Sequence, residues 1–311
     1  MSHHLRLGDA LLALAIVFVW GTNFVVIRFG LDALPPLFFA AMRFTLVLLP
    51  AVFFLKRPQV PLRNLAAYGV CIGLLQFGAL FIAMRGMISP GLASLVVQMQ
   101  VFFTIGLAMW RRGERLAPYQ LAAFALALAG MAVIAVHNGH GTTIPGLVLV
   151  LVAALGWALG NQASREAATV DGKPVNMLAY VVWSAIFAVP PLLALSLLLE
   201  GPGAIAAGLS RATPFTWAAV AWQSAGNTMF GYACWAWLLS RYPAATVAPM
   251  SLLVPVFGFA ASALLLGEPL PGWKIAATVL ILGGLAVNML WARLSGKTGG
   301  KTGRKALGAA R

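Results

Sequence analysis

Gly113-Glu114-Arg115-Leu116 and Gly267-Glu268-Pro269-Leu270 are one short phrase written twice, 154 residues apart. Register holds downstream of both copies: Leu126 matches Leu280, Leu128 matches Leu282, Gly130 matches Gly284 and Val133 matches Val287. Upstream, at an offset of 153, Phe77-Gly78 matches Phe230-Gly231, Ala83 matches Ala236 and Pro90 matches Pro243. Farther upstream, Trp20 with Arg28 matches Trp157 with Arg165. A self-match over such a period means that the chain is built from two similar halves. Chance likeness between bland apolar runs does not produce it, because the Gly-Glu-x-Leu pairs stand at polar breaks.

What surrounds the phrase is apolar. Of 311 residues, 61% are hydrophobic and 9% charged, so the surface facing the solvent must be apolar too, and that solvent is lipid. A bilayer core needs about 20 apolar residues per helical span. Spans are expected at 9–31, 36–55, 64–85, 91–110, 118–136, 145–165, 175–199, 214–238, 243–266 and 271–292, and they are called helices 1 to 10. The first run is longer than a signal-peptide core and no small-residue cleavage site follows, so it counts as helix 1. Five spans per half is an odd number, so the second half enters the membrane from the opposite side. The expected fold is all-α and integral to the membrane: ten transmembrane helices as two inverted five-helix repeats, about 9–136 and 145–292, around a central cavity. Residues 1–292 then form one membrane domain, and 293–311, basic and Gly-rich, are expected to be a disordered cytoplasmic tail.

The net charge of +14 indicates nucleic acid only if the cations share a face. Instead, sixteen of them fall at the termini and at every second connection. Arg28, Arg85, Arg211 and Lys274 fall on the other side, and Arg43 lies inside helix 2. The positive-inside rule therefore places both termini in the cytoplasm of a cell whose inner membrane holds the protein. No nucleic-acid partner is expected. Cys71 and Cys234 lie within spans and read as packing residues. The chain has no HExxH, no phosphate-binding Gly-rich loop and no Cys-His cluster. His3, His4, His137 and His140 read as solvated, so no cofactor, metal site or catalytic group is expected.

Four stretches resemble a known family. Trp20-Gly21-Thr22-Asn23-Phe24, Pro35-Pro36 with Arg43, Trp157-Ala158-Leu159-Gly160-Asn161 and Gly267-Glu268-Pro269-Leu270 are similar to EamA-type members of the drug/metabolite transporter superfamily. The likeness covers residues 9 to 292 and is strongest to the YddG-type exporters of aromatic and other amino acids. It implies a ten-helix basket with a central cavity. Small multidrug pumps of that superfamily rely on a carboxylate in the first helix, where this chain has Trp20 to Phe24. All seven acids, Asp9, Asp32, Glu114, Glu166, Asp171, Glu200 and Glu268, map to span ends or connections, so weakly coupled or facilitated export is expected rather than obligatory proton antiport.

Polar residues inside spans mark the path, because buried amides and indoles need partners or a wet cavity. The substrate-binding candidates are Trp20, Asn23, Gln76, Gln98, Gln100, Trp157, Asn161, Trp183, Asn227, Trp235 and Ser251; for each, an interhelical hydrogen bond or core packing is the alternative. Gln98 and Gln100 are two apart and cannot share a face. Gln223, Asn227, Gly231 and Trp235 recur every four residues and form a stripe on helix 8. Arg43 lies about 12 Å below the membrane boundary. Its partner is a substrate carboxylate, freed backbone carbonyls at a broken helix, or Asp32, with the architectural roles favoured. Pro249 and Pro255 are expected to kink helix 9 as a gating hinge, and Gly21 and Gly160 to loosen helices 1 and 6. Taken together, these residues describe an alternating-access carrier for a small amphipathic solute, an amino acid above all, working as a monomer or weak dimer in the bilayer. A drug or other metabolite exporter is the alternative within transport. An intramembrane enzyme or receptor is the alternative outside it.

Overall fold

The computed structural model describes residues 6–112, 118–137, 142–167, 169–170, 173–242 and 247–295. Helix 1 is Leu7–Leu31 and helix 2 is Pro36–Leu48, followed by a single turn, Ala51–Phe54. Helix 3, Leu62–Met84, is π-wound over Val70–Gly78. Helix 4 runs over 90–112 with a 3₁₀ turn at Val97–Met99. Helices 5 and 6 are Pro118–Val136 and Ile144–Ala167. Helix 7, Met177–Leu195, ends in a π turn, Ser196–Glu200, and a short helix Gly201–Arg211 follows. Helix 8, residues 214–241, is π-wound over Trp222–Phe230. Helix 9 opens as a 3₁₀ turn, Ala248–Leu252, and continues as Leu253–Leu266; helix 10 is Gly272–Ser295. Among the described residues the protein is a multi-pass membrane protein of ten helices, seven of its spans long and apolar enough to cross a bilayer, with one short antiparallel pair, Thr169–Val170 and Lys173–Pro174, between helices 6 and 7. Its outward surface is apolar as lipid requires: Phe54 is 81% exposed and Leu264 84%. The tail beyond Ser295 lies outside the described residues.

The two halves repeat each other's irregularities. An offset of 152 or 153 carries the π segment of helix 3 onto that of helix 8, and the 3₁₀ turn of helix 4 into that of helix 9. Interhelical contacts come in swapped pairs: helix 1 on 9 with helix 6 on 4, helix 3 on 6 with helix 8 on 1, and helix 3 on 7 with helix 8 on 2. Helix 5 packs on its own counterpart, helix 10. There, a Cβ on Gly130 would stand 2.6 Å from Ile281 and 3.0 Å from the Ala277 carbonyl oxygen, while one on Gly284 would meet the Ala123 carbonyl oxygen at 2.5 Å. Ala123 and Ala277 are themselves partners at the offset of 154, so each glycine admits the matching turn of the opposite helix. Such exchange is what an internal two-fold relation between inverted halves produces.

Some equivalent residues touch one another, and a residue that meets its own counterpart must lie beside the two-fold axis. The Trp20 and Trp157 rings meet edge to face at 6.4 Å between centroids. Gln98 Nε2 donates to the Ser251 carbonyl at 2.8 Å. Pro255, four residues on, has no N–H to offer that carbonyl. An amide of helix 4 thus meets helix 9 within its opening 3₁₀ turn.

Carboxylates of the second half tie down helices of the first. Helices 2 and 4 both begin with proline at their first positions, and neither is capped by its own flanking side chain. Glu200 accepts from the Leu37 and Phe38 N–H groups at 2.7 and 3.1 Å. Glu268 accepts from the Gly91 N–H at 3.1 Å, from the Ser89 hydroxyl, and from Lys274 Nζ at 2.7 Å. A carboxylate at a helix N-terminus meets both unsatisfied N–H groups and the positive end of the dipole. On the opposite face the Tyr242 hydroxyl donates to Asp9. Helices 1 and 6 are unbroken at Gly21 and Gly160, contrary to the expected loosening. These glycines pack against helix 9 and Ile72 instead.

Candidate functional site

A cavity opens where the symmetric tryptophans meet. Of the expected residues, Trp20, Asn23, Gln76, Trp157 and Asn227 line it, together with Phe24, Ile27, Phe77, Leu80, Val97, Tyr232 and Val254. It encloses about 440 Å³ of atom-free space with its open side included, of which about 40 Å³ admits the centre of a water molecule. That is room for a few waters. A solute the size of an amino acid does not fit in it.

Trp20 is the pivot of the aromatic wall. Its Nε1 donates to the Asn227 carbonyl at 3.3 Å, and its ring lies 5.6 Å from Tyr232 and 5.2 Å from Trp235. Trp235 thus stands behind the wall rather than on the cavity. Gln76, in the π segment of helix 3, turns a buried side chain to the cavity, and its Oε1 makes no hydrogen bond.

Below the cavity lies a network centred on Gln223. Gln223 Nε2 donates to Asn23 Oδ1 at 2.7 Å, and Asn23 Nδ2 donates back to Gln223 Oε1 at 3.3 Å. Arg43 is fully buried; its Nη1 donates to Gln223 Oε1 at 3.0 Å and its Nη2 to Thr228 Oγ1 at 2.7 Å. Its guanidinium carbon sits 3.5 Å from the centre of the Phe77 ring, a cation–π contact. Asp32 does not pair with Arg43, because it is taken by Arg28 four residues back. Arg43 meets helix 8 through side chains rather than through freed backbone carbonyls: Thr228 Oγ1 turns back to the Gln223 carbonyl at 2.9 Å, and Ser224 Oγ donates to the Arg43 carbonyl at 2.9 Å.

The remaining candidates are placed elsewhere. Asn161 Nδ2 donates to Gln100 Oε1 at 3.3 Å, joining helices 6 and 4. Gln98 is spent on the Ser251 carbonyl, so Gln98 and Gln100 point to different helices and Val97 faces the cavity instead. Trp183 Nε1 donates to the Leu55 carbonyl at 2.9 Å, which fixes helix 7 to the connection after helix 2. Pro249 falls in the 3₁₀ turn of helix 9, and the Pro249 side chain, like His3, His4 and His140, lies outside the described residues. His137 stacks on Trp273 at 4.8 Å. Among the described residues no three His, Cys, Asp or Glu side chains converge as metal ligands. Phe77, Thr228 and Tyr232 are the residues that sequence reasoning missed. The usable signal was the repeat itself, since Phe77 was already paired with Phe230.

Two tandem copies of one family profile cover this architecture: the EamA-like transporter family matches residues 8–136 and again 144–290. The chain belongs to that family. It is therefore a transporter and not an enzyme. A probable amino-acid metabolite efflux pump of Salmonella typhimurium is 44% identical over 288 residues, 92% of this chain and 96% of its own length. A protein of the same description from Escherichia coli is 43% identical over 287 residues, 92% and 96% of the two chains. A solved crystal structure at 21% identity matches with a TM-score of 0.58 over 93% of this chain and 98% of its own, a likeness of fold.

Proposed function

We propose that this protein exports amino acids, aromatic and other neutral ones, across the cell inner membrane by alternating access, with both termini in the cytoplasm. The observation that carries the reading is the cavity on the axis between inverted halves, where a rocking motion exposes one site to each side in turn. Its chemistry suits the solute. Trp20, Trp157 and Tyr232 offer ring faces to an apolar or aromatic side chain, and Gln76 Oε1 is a ready acceptor for an ammonium group. The relatives described as amino-acid metabolite efflux pumps support the same solute class. One chain supplies both halves of the cavity, so a monomer suffices.

Facilitated transport is part of the proposal. Asp9, Asp32, Glu166, Glu200 and Glu268 stand at helix ends, and Glu114 and Asp171 fall in connections outside the described residues. In proteoliposomes, labelled phenylalanine, tryptophan and threonine are expected to show saturable flux and counterflow without a pH gradient. Flux that needs the gradient would overturn the facilitative mechanism. Absence of flux with all three would overturn the amino-acid reading.

A further inference from the structure

Arg43 presents an electrostatic problem that its neighbours do not solve. It is 0% exposed, deep in an apolar bundle, and its two hydrogen-bond acceptors, Gln223 and Thr228, are both neutral. The acids are engaged elsewhere: Asp32 with Arg28, Glu268 with Lys274, Glu200 with the start of helix 2, Asp9 with Tyr242, and Glu166 with Gln162. Among the described residues no carboxylate neutralises Arg43. A membrane-buried cation without an anion is costly and is retained where function requires it.

A second, smaller chamber lies against this side chain. Arg43, Tyr68, Ser184 and Thr228 line it, and it has room for about one water, 10 Å³ for the water centre. Two of its lining residues carry buried polar atoms without a hydrogen bond, Arg43 Nε and Ser184 Oγ. Phe77 and Tyr232 line both this chamber and the axial cavity, so they stand between the two. Gln76, with its unengaged Oε1, precedes Phe77 in the chain and lines the axial side.

We propose that Arg43 is the receptor for the carboxylate of the transported amino acid, reached when Phe77 and Tyr232 swing aside and join the two chambers. The inference rests on the amino-acid reading above and specifies how the polar end is held. The carboxylate takes the Arg43 Nε–H and the Ser184 hydroxyl, the ammonium group takes Gln76 Oε1, and the side chain stays among the tryptophans. Substrate supplies the missing negative charge, so an occupied carrier is electrostatically complete and an empty one is not.

The test uses the full-length protein in proteoliposomes, with phenylalanine and phenylalaninamide as competitors for labelled phenylalanine. The wild type is expected to bind phenylalanine at least tenfold more tightly than its amide, the difference a charge-assisted hydrogen bond supplies. Gln223→Glu places a carboxylate where Oε1 now stands, 3.0 Å from Arg43 Nη1, and is expected to bring that ratio to within about twofold of unity. A wild-type ratio near unity overturns the proposal, as does a Gln223→Glu variant that keeps the full preference. If Gln223→Glu does not fold, the wild-type ratio decides alone. Absence of flux with phenylalanine, tryptophan and threonine alike refutes the amino-acid reading, a result distinct from a ratio of unity in a carrier that works.

Discussion

Replacing Gln223 by leucine is expected to destabilise the fold by about 3–5 kcal/mol, the range for stripping a partner from a buried charge. One amide serves three bonds: it accepts from Arg43 and from Asn23 and donates back to Asn23. Leucine matches its size and removes all three. Arg43 keeps only Thr228 as a hydrogen-bond acceptor, and Asn23, 3% exposed, keeps no side-chain partner in that pair. A buried polar group left unmatched carries its full desolvation cost. The melting temperature in detergent should fall by about 10 °C, with transport lost. A leucine variant that melts within a degree of the wild type would show that the Gln223 network does not hold helices 1, 2 and 8 together.

Trp20→Ala is expected to have the next largest effect. The ring touches Trp157, Tyr232 and Trp235, and its N–H satisfies the Asn227 carbonyl inside the π segment of helix 8. Truncating a buried tryptophan costs about 3–5 kcal/mol, tempered here by the cavity on one side. The larger consequence falls on transport, because the aromatic wall on the two-fold axis is lost from both access states. The apparent KM for phenylalanine should rise by an order of magnitude or more. Trp20→Phe separates the two roles: it keeps most of the ring and loses only the N–H bond, a cost of about 1 kcal/mol. An alanine variant with unchanged KM would mean that Trp20 supports the bundle without touching the solute.

The repeat in the sequence reached far into the structure. The offset of 154 read from Gly113-Glu114 and Gly267-Glu268 paired helix 5 with helix 10, and a separate match at an offset of 137 paired Trp20 with Trp157. They did so because an internal two-fold relation leaves equivalent residues in equivalent surroundings. What stayed hidden was winding. A stripe drawn every four residues along helix 8 picks out Gln223, Asn227 and Trp235, but the helix is π-wound over Trp222–Phe230. Five-residue spacing therefore brings Thr228 under Gln223 and Tyr232 beside Asn227. Partner choice was hidden as well. That Trp183 binds the Leu55 carbonyl, or that Glu200 and Glu268 cap helices of the other half, depends on which elements meet in space. Local sequence shows only that these groups need a partner.

The central claim, one cavity on the axis reached in turn from each side, is tested most directly through Val97, which lines it from the 3₁₀ turn of helix 4. A Val97→Cys variant carrying Cys71→Ser and Cys234→Ser would be treated with a membrane-impermeant maleimide in intact cells and in inverted vesicles. The account predicts alkylation from both sides, slowed in each case by phenylalanine. Alkylation from one side only, or at a rate that phenylalanine leaves unchanged, would contradict it.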